Sequence, residues 1–124
     1  MPARLRPAAP DDVAGARSRI AAALAADEPA ARADLKLLTK HFLALLEERA
    51  PGRSVEVRVP PFAAVQVVEG VRHTRGTPPA VVETDALTWL ALAAGEIGWA
   101  DAVASGRVTA SGERTDLAPY LPLG

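Results

Sequence analysis

The densest group of polar side chains in this 124-residue chain is His73, Arg75 and Thr77, set beside Gly76 and Pro78-Pro79. Arg75 offers a guanidinium fork, and Thr77 with the Gly76 amide offers neutral donors, so the trio is a candidate site for a carboxylate or another anion. The competing reading is a pinned crossover, in which Arg75 pairs with Glu69 or Glu83 and His73 bonds backbone. Glu56, Glu69, Glu83 and Asp85 are the carboxylates that acid–base chemistry would need. Glu56 and Glu69 fall on outward positions of alternating segments, and Asp85 is better placed to cap a helix. The two histidines, His41 and His73, stand in no His-x-x-x-His or Glu-x-x-His spacing, so no metal site is expected. Ser18, Ser54, Ser105 and Ser111 are the serines, and none lies in Gly-x-Ser-x-Gly. The chain has no cysteine, which excludes disulfides, thiolate nucleophiles and thiolate metal sites. No phosphate loop or dinucleotide fingerprint is present, so no cofactor is expected and the chain does not read as an enzyme.

The remaining candidates are apolar. Phe62, Val65, Val67, Trp89, Leu90 and Trp99 are bulky enough to line a pocket for an acyl chain or a sterol. Gln66 interrupts their strand and would orient a ligand's polar end or satisfy backbone if buried. Aromatic residues are only 4% of the chain, so the same side chains are also what a core must be built from.

Charge and composition narrow the partners. A formal net charge of −1 gives no electrostatic reason to expect nucleic acid or an anionic membrane. No apolar run approaches the ~20 residues that span a bilayer. The N-terminus has arginines but no apolar stretch behind them, so neither stable membrane insertion nor a signal peptide is expected, and a cytoplasmic protein is the default. Hydrophobic residues at 49% and charged residues at 23% suit one soluble domain with one core.

The elements that would position these residues follow from the patterning. Residues 1–10 hold three prolines and read as a flexible arm. Residues 11–124 read as one domain, a helical hairpin over 11–52 and a sheet with short helices over 53–124. Asp11 or Asp12 can cap a helix carrying Val13, Ala16, Ile20 and Ala23 or Leu24 on one face. Pro29 should end that helix and open the next. The second helix presents Leu35, Leu38, Phe42, Leu45 and Leu46, and Pro51-Gly52 stops it. The period then changes to two: Val55, Val57 and Val59 alternate with Ser54, Glu56 and Arg58. A second strand over 62–69 is nearly continuously apolar, which implies cover on both faces. Val81–Thr84 is a third strand, Asp85 caps a helix ended by Gly95, and Trp99–Ser105 is a short helix ended by Gly106. Val108 and Ala110 sit on a fourth strand. Pro119 and Pro122 keep the tail from forming a long helix.

From Ser54 onward the chain resembles small bacterial orthologues of the sterol carrier protein superfamily. The resemblance is carried by Val55-Glu-Val-Arg-Val-Pro-Pro-Phe62, Val67-Val-Glu-Gly70, His73-Thr-Arg-Gly-Thr-Pro-Pro79 and Val82-Glu-Thr-Asp85. It continues through Trp89-Leu-Ala-Leu92, Gly95, Trp99-Ala-Asp-Ala102, Ser105-Gly-Arg-Val108 and Ser111-Gly112. It covers a little over half the chain and implies an α/β (α+β) fold, a mainly antiparallel four- to five-stranded sheet packed by helices. It also implies a hydrophobic tunnel between sheet and helices that holds lipid. The lipid carriers close that tunnel with a long amphipathic C-terminal helix; this tail is broken by Pro119 and Pro122, so the expected cleft is shallow or open. The expected function is therefore non-catalytic binding or carriage of a small hydrophobic molecule, lipid- or sterol-like. The alternative is an interaction module that forms a homodimer or docks to a separately encoded enzyme.

Overall fold

Two helices open the chain, and the sheet they cover is built from strands that bury one face each. The structure, a computed structural model, describes residues 5–70, 80–112 and 115–124. His73, Arg75 and Thr77 lie outside the described residues.

Helix α1 (Pro10–Ala25) starts ahead of both acidic residues that were expected to cap it. Ala9 is its N-cap and no side chain caps it. Pro10 takes the first helical position, where a missing N–H costs nothing. Asp11 and Asp12 instead sit in the first turn, where the helix dipole favours negative charge. Pro29 does not end the helix either. Asp27 adopts φ +57°, the Glu28 N–H donates to Ala23 O at 2.8 Å and the Asp27 N–H to Leu24 O at 3.1 Å. That paired closure ends α1 before the proline is reached. Helix α2 (Arg32–Arg49) begins beyond Pro29, with Ala31 as its N-cap.

Strands β1 (Val55–Val59), β2 (Ala63–Val67), β3 (Ala80–Thr84) and β4 (Val108–Ser111) form one sheet in the order β2-β1-β3-β4. β1–β2 and β3–β4 are antiparallel and β1–β3 is parallel. The four-stranded, mainly antiparallel sheet beside a helical hairpin is an α+β fold, as expected. Between β3 and β4 lie α3 (Ala86–Ala94) and α4 (Trp99–Ala104). Asp85 caps α3 as its position implied: Oδ2 accepts from the Thr88 N–H at 3.1 Å and Oδ1 from the Thr88 hydroxyl at 2.6 Å. Gly95 and Gly106 both take φ +79° at the helix ends.

β2 departs from the expectation of cover on both faces. It is an edge strand whose burial alternates, with Val65 and Val67 inside and Ala64 and Gln66 exposed. Alanine made the run look continuous; the branched side chains alone keep a period of two. Val68 then turns inward by adopting φ +67°, which ends the strand early.

The inner face of the sheet carries Val55, Val57, Val59, Val67, Val82 and Val108, all buried. α2 lies against β2 on one side, α3 on another and α1 on a third. It therefore buries a wide face, Leu38, Phe42 and Leu46 together with Leu43 and Ala44, whereas Leu35 and Leu45 are only half-buried. Arg19 of α1 grips Asp34 of α2 with a fork, Nε to both carboxylate oxygens at 3.1 Å and Nη2 to Oδ1 at 2.9 Å. This hydrogen bonding holds the Asp34 carboxyl below its ordinary range, against the opposing effect of burial. The C-terminal stretch is a strap around a short 3-10 turn (Ala118–Tyr120). The Leu123 N–H donates to Ala93 O at 2.8 Å, Arg49 donates to Tyr120 O and Pro122 O, and Leu117 and Leu123 are buried.

Candidate hydrophobic-ligand site

Helix α3 has more apolar faces than the core can use. Ala86, Trp89 and Ala93 point inward with Leu92 and are buried. Leu87, Leu90, Ala91 and Ala94 recur at helical spacing on a second face and are left accessible. Across from them α1 presents Ile20, Ala21 and Leu24, and between the two helices α2 supplies a floor of Leu38 and Phe42. These residues enclose a groove of about 360 Å3, within the range of small-molecule sites. Leu24 and Leu87 are among the most exposed large apolar side chains described, at 50% and 42%.

Charge is confined to Arg17 and Glu96 among the groove's lining residues. The Arg17 guanidinium lies 5.2 Å from the centre of the Phe42 ring, and its Nη2 donates to Gly124 O at 2.6 Å. His41, next to Phe42, accepts the Ala8 N–H on Nδ1 at 2.9 Å. Burial, and then the charge of Arg17, hold the His41 pKa below its ordinary value. The neutral ring with its proton on Nε2 satisfies this bond. Residues 5–9 have no regular structure, yet Leu5 packs on the core and Ala8 is tied to α2 in this way.

The residues singled out in the sequence are scattered by the fold. Val65 and Val67 are in the core between sheet and helices. Trp89 is 1% exposed and its Nε1–H donates to Thr39 O at 3.3 Å. Phe62 is half-buried at the β1–β2 turn with the Arg32 guanidinium 5.3 Å from its ring centre. Gln66 is on the solvent side of the sheet and so is not the buried amide it would need to be to orient a ligand inside. Trp99 is half-buried at the start of α4. Leu90 alone of the seven lines the groove. The space between sheet and helices is filled by Trp89, Phe42, Leu43, Leu46 and Leu92, each fully buried or nearly so.

The carboxylates are dispersed too. Glu56 pairs with Arg58 on the same strand and Asp85 is occupied as a cap. Among the described residues no group of three or more His, Asp or Glu side chains could hold a metal ion. Among them, too, no helix is long and apolar enough to cross a membrane.

Sequence reasoning passed over Leu24, Leu87, Ala91 and Ala94. Their signal was present in α3, which is apolar all round although it lies at the protein surface. The inward face of α1 was read as ending on Ala23 or Leu24; Ala23 is the half-buried one and Leu24, still within the helix, is exposed.

A family model described as Bacterial SCP ortholog matches residues 31–123, that is, α2 through the C-terminal strap. A search of curated proteins gives no match. The match spans three quarters of the chain, so the chain belongs to the bacterial orthologues of the sterol carrier proteins.

Proposed function

We propose that this protein binds the apolar chain of a small hydrophobic molecule, without catalysis, in the groove between α1, α2 and α3. The observation that carries this is the second apolar face of α3, set opposite Leu24 over a floor of Leu38 and Phe42. A chain in water gains nothing by leaving such a face bare, whereas a ligand laid along it removes Leu24 and Leu87 from water at roughly 25 cal/mol per Å2. Membership of the sterol-carrier family supports hydrophobic-ligand carriage at the level of the family. The dispersal of the carboxylates and the lack of a thiol nucleophile support a carrier rather than an enzyme.

The location differs from the sheet–helix tunnel that the family resemblance implies, because large side chains fill that space here. Ala91 lies in the groove wall and is only half-buried, so Ala91→Trp should fill the groove from a position the core does not need. Calorimetric titration with n-alkanols should show micromolar-range binding to the native protein and at least tenfold weaker binding to Ala91→Trp at unchanged Tm. Equal affinity for both would move the ligand elsewhere. A native protein that binds no alkanol and elutes as a stable oligomer would make the α1–α3 face a protein interface instead.

A further inference from the structure

α1 carries a single charge in an otherwise apolar face. Pro10, Val13 and Ala14 line one groove with Arg17, and Ile20, Ala21 and Leu24 line the ligand groove, also with Arg17. The spacing 10, 13, 14, 17, 20, 21, 24 is one helical stripe. Phe42 is likewise common to both grooves, with Leu38 on one side of it and Leu45 on the other. The far wall is also continuous: α3 faces the first groove, Leu123 and Gly124 face the second, and the Leu123 N–H is bonded to Ala93 O at the end of α3. The second groove has a volume of about 370 Å3, close to that of the first.

We propose that the two grooves are halves of one furrow along α1, and that Arg17 is the partition that sets how long an apolar chain the furrow accepts. The inference rests on the ligand groove proposed above. At 1.5 Å per residue the stretch from Arg17 to Leu24 is about 10 Å, and that from Pro10 to Leu24 about 21 Å. An acyl chain in one leaflet of a bilayer extends about 15 Å, so such a chain fits the whole furrow but not the half. Apart from Arg17, His41 and Glu96 the lining is apolar, which suits an alkyl chain rather than a polar ring. Arg17 holds its place through one hydrogen bond to Gly124 O and the face of Phe42, and the residue is exposed. A chain pressing from the Leu24 side can pass only by breaking the guanidinium away from both contacts. α1 lies outside the segment matched by the family model, so the partition belongs to a part of the chain that the family match does not cover.

The test is affinity against chain length for a series of n-alkanols, in the native protein and in Arg17→Met. Each added methylene that becomes buried tightens binding by up to about fourfold. For the native protein the gain should stop once the chain reaches about 10 Å, at Arg17, and for Arg17→Met it should continue toward about 20 Å. Adding Ala14→Trp to Arg17→Met refills the far half and should restore the early stop; thermal melting checks that each variant is folded. A native series that gains affinity with no break, or an Arg17→Met series that breaks at the native length, overturns the partition while leaving the ligand groove standing. If neither protein binds any alkanol, the groove reading fails and the partition fails with it.

Discussion

Gly52 should tolerate no side chain at all, and the cost of adding one can be worked from its surroundings. It lies between α2 and β1 with φ +152°, and an ideal Cβ there would sit 2.1 Å from Val68 O and 2.4 Å from Glu69 N. The obstacle is backbone, not the end of a flexible side chain. Val68 cannot retreat easily, because its N–H donates to Ala50 O at 2.7 Å. Its carbonyl accepts from the Ser54 N–H at 3.1 Å and from the Ser54 hydroxyl at 2.6 Å. Val68 is also a β-branched, buried residue at φ +67°, a conformation that persists only when its surroundings enforce it. Breaking two or three of these hydrogen bonds at about 1 kcal/mol each, and placing alanine at a positive φ for a further ~1–2 kcal/mol, gives a loss of roughly 3–5 kcal/mol for Gly52→Ala. At about 4 °C per kcal/mol for a domain of this size, Tm should fall by about 12–20 °C. Gly106→Ala is the matched control: φ is +79° but no atom lies within 4 Å of the added Cβ, so only the ~1–2 kcal/mol backbone term remains. Urea unfolding followed by circular dichroism measures both. A Gly52→Ala loss no larger than that of Gly106→Ala would show that the Ala50–Ser54–Val68 junction relaxes, and would refute the argument that it is rigid.

Two further expectations concern buried polar groups. Thr39 Oγ1 is enclosed with no hydrogen-bond partner among the described residues, so the near-isosteric Thr39→Val should raise stability by about 1 kcal/mol; a loss in urea unfolding would mean the hydroxyl is satisfied. His41 favours its neutral form in the folded protein more than its ordinary value of 6.5 implies. The unfolded chain therefore takes up the proton first, so stability should be fully present above pH 6.5 and decline as pH falls toward the lower folded-state pKa. His41→Gln should flatten that part of the stability profile, and an unchanged slope would assign the dependence to another group.

The fold was readable because local chemistry and tertiary packing agree along most of the chain. The change of period near Ser54, the Asp85 cap and the glycines at 95 and 106 each act through the backbone of a few neighbouring residues. The misreadings arose where two local signals competed. At the start of α1 both Pro10 and the acidic pair were candidates, and at its end the Asp27 turn acts before Pro29. On β2, alanines at 63 and 64 hid the alternation that Val65 and Val67 keep. The site was much less readable. A groove is made by faces of α1, α2 and α3 that meet only through tertiary packing, and no spacing within one helix reports that. Large apolar residues such as Trp89 and Val67 drew attention because of their size, yet size is what the core selects. The distinguishing feature was the surplus of apolar positions on α3, whose Leu87 and Leu90 are left over once Ala86, Trp89, Leu92 and Ala93 are buried.

The ligand groove proposed here lies between α1 and α3 and not between the sheet and the helices. Backbone and indole N–H resonances followed by nitrogen–proton NMR during titration with n-octanol test it most directly. Shifts should group on Ala21, Leu24, Leu87 and Ala91, with the Trp89 indole N–H, bonded to Thr39 O in the core, left in place. Shifts concentrated on Trp89, Val65 and Val67 with α1 silent, or no shifts up to the solubility limit, would contradict it.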